Sequence, residues 1–211
     1  MALPTRDELA QRAAADIPRG AVVNLGIGLP TKISNYLDAD HHVVLHTENG
    51  MLGMGPEAVG ESIDTDLVNA GKTPVTELPG ASYFNHAESF AMMRGGHLDV
   101  CVLGAYQVAT NGDLANWLTT SPDAIPAVGG AMDLAIGAKS VWVMMELFTK
   151  EGESKIVDSC TYPLTGLGCV SRVYTDHAIF DLSAGQLNLV EAFNGHTAAS
   201  LTEIIGLPVH G

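Results

Sequence analysis

The stretch Ala21-Val-Val-Asn-Leu-Gly-Ile-Gly28 decides the fold of this chain. Its first five residues predict a buried strand, and its glycines predict a turn into a helix near Thr31 to Leu37, with Pro30 at the helix start. A second strand is predicted at Val43 to His46. A strand, a crossover helix and a second strand make a βαβ unit, which favours a parallel sheet.

Helical signals lie on both sides of this unit. The spacing of Thr5-Arg-Asp-Glu8 is that of a capping box and predicts an amphipathic first helix, which Pro18 ends. We also predict a helix at His86 to Arg94 and a closing helix at Thr197 to Ile205, which Gly206 ends.

Runs rich in β-branched residues extend the sheet. They predict strands at Asp99 to Leu103, Val141 to Met145 and Val170 to Tyr174. Two hairpin signals, Asn111-Gly112 and Ser183-Ala-Gly185, imply antiparallel additions. We therefore predict an α/β fold of three layers, in which a mixed, largely parallel sheet carries helices on both faces.

Length and charge limit the possible functions. The 211 residues, of which 46% are hydrophobic and 16% charged, suffice for one sizeable domain and are too few for two ordinary ones. We therefore expect a single domain over residues 1–211. A net charge of −14 with only ten lysines and arginines disfavours a nucleic-acid surface. An acidic chain that binds an anionic ligand needs local cations, and a partner protein is one source of them.

The cysteines and the N-terminus predict the cellular location. Cys101, Cys160 and Cys169 form an odd set without C-x-x-C spacing, which fits a reducing cytoplasm. The first residues lack the basic head and apolar run of a secretory signal. No stretch reaches the roughly 18 apolar residues of a membrane span. We expect a soluble cytoplasmic protein that does not bind membranes.

Glu48 is the candidate catalytic residue. It follows the predicted strand that ends at His46 and precedes four residues typical of loops, namely Gly50, Gly53, Gly55 and Pro56. Side chains at the carboxyl ends of strands in open α/β sheets face the ligand crevice, and glycines let backbone N–H groups approach a ligand. The alternative is a surface turn with a solvated glutamate.

A resemblance to a known family favours the first interpretation. The string Glu48-Asn-Gly-Met-Leu-Gly-Met-Gly-Pro56 resembles the active-site signature of the B subunits of class I CoA-transferases, a family that includes succinyl-CoA:3-oxoacid and 3-oxoadipate CoA-transferases. The resemblance covers nearly the whole chain. It continues through six further blocks in the same order: 23–28, 66–72, 93–97, 112–117, 129–134 and 162–166.

The resemblance implies that Glu48 is the nucleophile of a ping-pong reaction. Its attack on an acyl-CoA gives an acyl-glutamyl anhydride and CoA thiolate, which returns to form a glutamyl-CoA thioester. CoA is then a substrate and a covalent intermediate, and no permanently bound cofactor is expected. The carboxylate must be ionised yet poorly hydrated. The settings of the competing acids Asp123, Asp133 and Asp158 are typical of turns and helix starts.

Supporting roles follow from the same resemblance. Asn49 and Gly50 adjoin the glutamate in the signature. Gly130 and Ala131 match a block that lines the thioester, where backbone N–H groups stabilise an oxyanion. Close helix packing is the alternative explanation of Gly130.

A second set of residues is implied for CoA or substrate binding. Asn24 and Lys72 match residues that flank the catalytic glutamate in this family, and Gly26 and Gly28 lie in the same block as Asn24. Lys72 would offset the negative charge of the acid or bind a phosphate or carboxylate. The alternative is that Lys72 is an ordinary solvated lysine.

Other chemistries are less well supported by the sequence. Gly26-x-Gly28 is followed by Thr31 where a dinucleotide fingerprint needs a third glycine. His41, His42 and His46 have no fourth ligand nearby, so we interpret them as surface or packing residues and predict no metal. No G-x-S-x-G motif marks a serine nucleophile.

Family membership further implies a partner. The catalytic unit of this family combines similar A and B subunits with the site between them, so we expect an A subunit in a heterodimer or heterotetramer, and no activity of this chain alone. The segments 116–130, 151–154 and 160–163 favour 3-oxoadipate as acceptor of CoA from succinyl-CoA, with acetoacetate second. Thr47 and Leu147 depart from the usual serine and histidine of the family. The rival from another class is a non-catalytic ligand-binding module of the same fold.

Overall fold

The protein is described from a computed structural model that covers residues 3–120, 123, 125–126 and 128–211. The helices are α1 (Arg6–Asp16), α2 (His86–Arg94), α3 (Ala131–Gly137) and α4 (Ala198–Ile205), with 3₁₀ helices at Leu29–Tyr36, Ala39–His41 and Gly60–Ser62. The strands are β1 (Val22–Leu25), β2 (Val44–Thr47), β3 (Met51–Glu57), β4 (Val75–Tyr83), β5 (Val100–Leu103), β6 (Gln107–Ala109), β7 (Leu114–Ala115), β8 (Ser140–Met144), β9 (Ile156–Val157), β10 (Val170–Tyr174), β11 (Ala178–Ser183), β12 (Gln186–Ala192) and β13 (Val209–His210). Residues 1–2 of the N-terminus considered above, and 121–122, 124 and 127 of the segment compared with 3-oxoadipate enzymes, lie outside the described residues.

The predicted mixed sheet is confirmed. Within the described residues its order is β13-β12-β11-β10-β8-β5-β1-β2-β3-β4. The central strands β10, β8, β5, β1 and β2 run parallel, while β3 and β4 on one side and β11 and β12 on the other are antiparallel additions. A small second sheet has the order β7-β6-β9. Both predicted hairpins, β6–β7 and β11–β12, are antiparallel pairs, but only β11–β12 is an addition to the large sheet, since β6–β7 lies in the small one.

Helices cover both faces of the large sheet, as predicted. The alternation of side chains along β5 shows the two faces: Val100 and Val102 pack in the cluster that contains α1, whereas Cys101 and Leu103 pack with α2, α3 and α4. Successive residues of a strand point to opposite faces, so one short buried run serves two cores. The helix α1 begins at the predicted capping box, in which Thr5 and Glu8 exchange hydrogen bonds.

The crossover between β1 and β2 differs from the prediction. The segment predicted as an α-helix near Thr31 to Leu37 is a 3₁₀ helix, Leu29–Tyr36. Its first residue follows Gly28 without a side-chain cap, and Pro30 lacks an N–H donor. The hydroxyls of Thr31 and Ser34 bond to the carbonyl oxygens of Gly28 and Thr31, which competes with regular α-helical bonding.

Three of the four residues predicted as a loop after Glu48 lie in a strand, and only Gly50 lies in the turn. Gly53, Gly55 and Pro56 lie in β3, which pairs with β2 and β4. The register of β3 against β4 shifts twice, between Leu52 and Met54 and between Met54 and Glu57. Bulged strands accept glycine and proline because the ladder is interrupted there. The turn at Glu48 is therefore shorter than the sequence suggested.

No helix among the described residues is long and apolar enough to cross a membrane. The cytoplasmic location stays a prediction.

Gly137 controls the approach of α3 to α2. A Cβ at this position would lie 2.1 Å from the carbonyl oxygen of Met93. We expect Gly137→Ala to lower the free energy of unfolding by roughly 1–3 kcal/mol, because backbone must move to admit the methyl group. Urea denaturation measures this value. Ile136→Ala, at a side chain that is 79% exposed on the same helix, is the control and should stay within about 0.5 kcal/mol of the wild type. Equal stability of the two variants would contradict the prediction.

Candidate active site

Glu48 lies in a three-residue turn between β2 and β3. The N–H of Gly50 donates to the carbonyl oxygen of Thr47 at 3.1 Å, and the N–H of Met51 donates to the Thr47 hydroxyl at 3.2 Å. Gly50 has a φ of +115°, and a Cβ there would lie 2.1 Å from the carbonyl oxygen of Phe84. Three-residue hairpin turns commonly end in a glycine of positive φ. The sequence Glu-Asn-Gly thus places the acid at the carboxyl end of β2.

The carboxylate of Glu48 is half-buried and, within the described residues, meets one backbone donor. The N–H of Gly130 donates to Glu48 Oε2 at 3.1 Å, and a Cβ on Gly130 would lie 2.2 Å from the same oxygen. Burial raises the pKa of the Glu48 carboxyl, while the Gly130 bond and the nearby His86 act in the opposite direction and Asp133 adds to the rise. The acid is partly stripped of water yet holds a directed hydrogen bond.

A cleft of about 360 Å³ opens beside this carboxylate. Its wall comes from the ends of β1 and β5, the segment before α3 and the start of α3. The lining residues are Gly26, Ile27, Glu48, Leu103, Gly104, Ala105, Tyr106, Asn116, Val128, Gly129, Gly130, Ala131 and Leu134. The carboxyl ends of parallel strands form the usual ligand crevice of open α/β sheets, and this cleft is in that position.

A larger groove of about 740 Å³ lies along β2, β3 and β4 and does not reach Glu48. Its lining is mostly apolar, with Asp38 and His42 among its polar members. Size alone does not identify a catalytic site. The smaller cleft is the candidate site because a half-buried carboxylate meets a backbone donor there.

The predicted oxyanion residues divide into two groups. Gly130 contacts Glu48, and Ala131 lines the cleft, although its N–H donates to the carbonyl oxygen of Val128 at 3.0 Å. The N–H of Gly50 is engaged by Thr47, so it is not available to a ligand. The side chain of Asn49 donates to the carbonyl oxygen of Val68 at 2.8 Å and ties the segment 66–72 to the turn.

The predicted CoA-binding residues are also dispersed. Gly26 lines the cleft, whereas Gly28 stands at the start of the 3₁₀ helix. Asn24 is buried and donates to His46. Lys72 is exposed in a turn beside Gly71, where a Cβ would lie 3.4 Å from the cleft residue Ile27. Among the described residues no ion pair joins Lys72 to an acid, and its binding role stays a prediction.

The competing acids have other environments. Asp133 forms an ion pair with Arg94 at 2.6 Å. Asp123 and Asp158 are exposed and do not line the cleft. Among the described residues that line the cleft, Glu48 is the one acid.

Sequence reasoning missed the side of the site that α2 forms. A Cβ on Gly130 would lie 3.2 Å from the ring of Phe90, the centroid of the His86 ring lies 4.6 Å from that of Phe90, and Arg94 lies 5.5 Å from the Phe90 centroid. The spacing of His86, Phe90 and Arg94, each four residues apart, is the signal that could have placed them on one helix face. His46 was predicted as a surface or packing residue, and it is buried.

Known proteins resemble this chain in sequence. A family model described as Coenzyme A transferase matches residues 6–198. The chain is 57% identical over 202 residues to the B subunit of the 3-oxoadipate CoA-transferase of Acinetobacter baylyi, covering 96% of this chain and 93% of that protein. It is 48% identical over 190 residues to the B subunit of the succinyl-CoA:3-ketoacid coenzyme A transferase of Helicobacter pylori, covering 90% and 91%.

A solved structure supports the fold. The crystal structure of an acyl-CoA transferase apoenzyme from Escherichia coli O157:H7 is similar to the whole of this chain, with a TM-score of 0.72 and 20% identity. The present chain spans 42% of that longer chain. At this identity the likeness shows the architecture alone.

The raised pKa of Glu48 predicts that ionisation of this carboxyl lowers the stability of the folded protein. A raised pKa in the folded state means that ionisation opposes folding. The free energy of unfolding therefore falls as pH rises past the unfolded-state pKa of about 4.3. We therefore expect Glu48→Gln to raise the Tm at about pH 7, and the gain to shrink as pH falls towards about 4. Thermal unfolding across this range measures it, with the exposed Glu203→Gln as control. A gain that grew in acid would refute the prediction.

Proposed function

The chain belongs to the coenzyme A transferase family, and we propose that, as a B subunit, it moves CoA from succinyl-CoA to 3-oxoadipate through a thioester on Glu48. One observation carries this proposal: the half-buried carboxylate of Glu48 lies in a cleft at a strand end and accepts the N–H of Gly130. The relative at 57% identity, the B subunit of a 3-oxoadipate CoA-transferase, supports the choice of acceptor.

The reaction proceeds by two exchanges at the Glu48 carboxyl. The carboxylate attacks the thioester carbonyl of succinyl-CoA, the C–S bond breaks, and a succinyl-glutamyl anhydride and CoA thiolate result. The thiolate attacks the glutamyl carbonyl and releases succinate, which leaves CoA on Glu48. The carboxylate of 3-oxoadipate then attacks the glutamyl thioester, and the same steps in reverse give 3-oxoadipyl-CoA and free Glu48.

The geometry suits both exchanges. Partial burial weakens hydration of the attacking carboxylate. When the thiolate adds to the glutamyl carbonyl, negative charge gathers on a glutamyl oxygen, and the N–H of Gly130 is directed at such an oxygen. The apolar residues Leu103, Ala105 and Leu134 line the cleft and limit the access of water to the thioester.

The mouth of the cleft supports an A subunit as partner. Ile27 is 65% exposed, Tyr106 42% and Val128 37%, and all three line the cleft. Grouped exposed apolar side chains mark interaction sites. Among the described lining residues no side chain is basic, although CoA carries phosphates and 3-oxoadipate two carboxylates. The A subunit would cover this rim and contribute cations.

Acetoacetate is the second candidate acceptor. The relative at 48% identity, the B subunit of a succinyl-CoA:3-ketoacid coenzyme A transferase, favours it. Both candidates use the same Glu48 chemistry, so a substrate comparison distinguishes them.

The chain co-purified with a CoA-transferase A subunit is expected to transfer CoA, and the chain alone is not. Succinyl-CoA is assayed with 3-oxoadipate, acetoacetate and acetate in parallel, and we expect the highest kcat/KM for 3-oxoadipate. Mass spectrometry after succinyl-CoA treatment should find CoA on the peptide that contains Glu48. Glu48→Ala should assemble with the A subunit and lose at least about a thousandfold in turnover.

Other outcomes have definite meanings. Preference for acetoacetate would assign the second candidate function. Turnover by the pair without an adduct on Glu48 would reject the covalent mechanism, and an inert pair without any adduct would favour the non-catalytic module.

Gly130→Ala tests the contact with the carboxylate. The new methyl group would meet Glu48 Oε2 at 2.2 Å and displace it. We expect kcat of the A–B pair to fall by roughly a hundredfold or more. Gly211→Ala is the control, because its Cβ would make only ordinary contact, at 3.4 Å, with Leu189. Wild-type turnover by Gly130→Ala would show that this contact is dispensable.

A further inference from the structure

A hydrogen-bond network of three buried polar side chains ends beside Glu48 without lining the cleft. Asn24 is 1% exposed, His46 2% and Ser89 0%. Asn24 Nδ2 lies 3.0 Å from His46 Nδ1, His46 Nε2 lies 3.0 Å from Ser89 Oγ, and Ser89 Oγ lies 3.2 Å from the carbonyl oxygen of Thr47. These residues come from β1, β2 and α2, so the network joins three elements.

Only one assignment of donors and acceptors fits this network. The Nδ2 group of Asn24 carries only donors, so His46 Nδ1 accepts and the ring proton is on Nε2. Nε2–H then donates to Ser89 Oγ, and the Ser89 hydroxyl donates to Thr47. The second Nδ2 hydrogen of Asn24 bonds to the carbonyl oxygen of His46 at 3.2 Å. Burial lowers the pKa of His46 to about 4, which keeps the ring neutral as this pattern requires.

The last acceptor is the peptide that leads into Glu48. The carbonyl oxygen of Thr47 receives the Ser89 hydroxyl and also the N–H of Gly50. A peptide plane held by two donors cannot easily rotate, and its rotation would swing the side chain of Glu48. The neighbour of Ser89 in α2 is Phe90, whose ring would lie 3.2 Å from a Cβ on Gly130, the residue that donates to the carboxylate.

The cost of burial argues for a role beyond packing. Uncharged polar side chains in a core are unfavourable unless they are hydrogen-bonded, and among the described residues the Oδ1 atom of Asn24 is buried without a partner. An apolar side chain at position 24 would avoid that cost. We infer that Asn24, His46 and Ser89 are positioning residues, which fix the Thr47–Glu48 peptide and hence the direction of the attacking carboxylate. This inference rests on the proposed function.

Ser89→Ala in the A–B pair is the main test, because it removes the hydroxyl that donates to Thr47 and that accepts the His46 Nε2–H, and leaves the other side chains in place. We expect the rate of glutamyl-CoA thioester formation, followed by rapid-quench mass spectrometry, to fall roughly tenfold or more, with KM for succinyl-CoA within about twofold of the wild type. Ser171→Ala is the matched control. Ser171 Oγ also donates to a backbone carbonyl, that of Val141, at 3.2 Å, and it lies on β10 away from the cleft.

A second pair of variants tests whether position 46 must donate a hydrogen bond in the network. His46→Gln keeps an amide N–H near the position of Nε2 and should retain more of the thioester-forming rate than His46→Leu, which has no donor. Rescue by the polar variant distinguishes positioning from packing. These variants also serve if Ser89→Ala does not assemble with the A subunit.

The outcomes separate this inference from the proposed function. Adduct formation by the wild type with equal rates for Ser89→Ala and Ser171→Ala would overturn the positioning role alone. Equal rates for His46→Gln and His46→Leu would do the same. A wild-type pair that forms no adduct on Glu48 would overturn the proposed function, and the positioning role with it.

Discussion

The hydrogen bond from the Gly130 N–H to Glu48 Oε2 is the interaction on which the site depends. It joins residues 82 positions apart, one in a hairpin turn and the other at the start of α3. The bond can form only because the hairpin is tight at Gly50 and because Gly130 has no side chain. The large sheet supplies the frame for both, since β2 carries the turn and β5 leads to the wall of the cleft.

The burial of Glu48 has opposite effects on folding and on chemistry. Partial loss of water raises the pKa of the carboxyl, which is unfavourable to the folded state once the acid is ionised. The same loss of water favours attack on a thioester. The hydrogen bond from the Gly130 N–H offsets part of the cost of burial without adding a titratable group, and in the proposed reaction it leaves the acid available as a nucleophile.

Local signals predicted the elements whose causes are local. The capping box at Thr5 and the turn at Ser183-Ala-Gly185 are complete within a few residues, and the structure has the helix and the hairpin there. The strands β3 and β4 were missed because their identity depends on pairing across distant sequence, and the glycines of β3 look like a loop until the bulges are seen. The 3₁₀ crossover was missed because side-chain hydroxyls compete for backbone carbonyls. For the site, the signature indicated Glu48, but no local pattern shows that Ser89 reaches the Thr47 carbonyl.

The two edges of the large sheet have a consequence for the lone protein. Strand β13 has only two residues, and β4 contains Pro79 and Gly80 and faces a bulged neighbour. Proline withholds a donor, and an irregular ladder gives another β-strand no even row of partners. The chain by itself thus offers neither edge as a regular template for edge-to-edge aggregation.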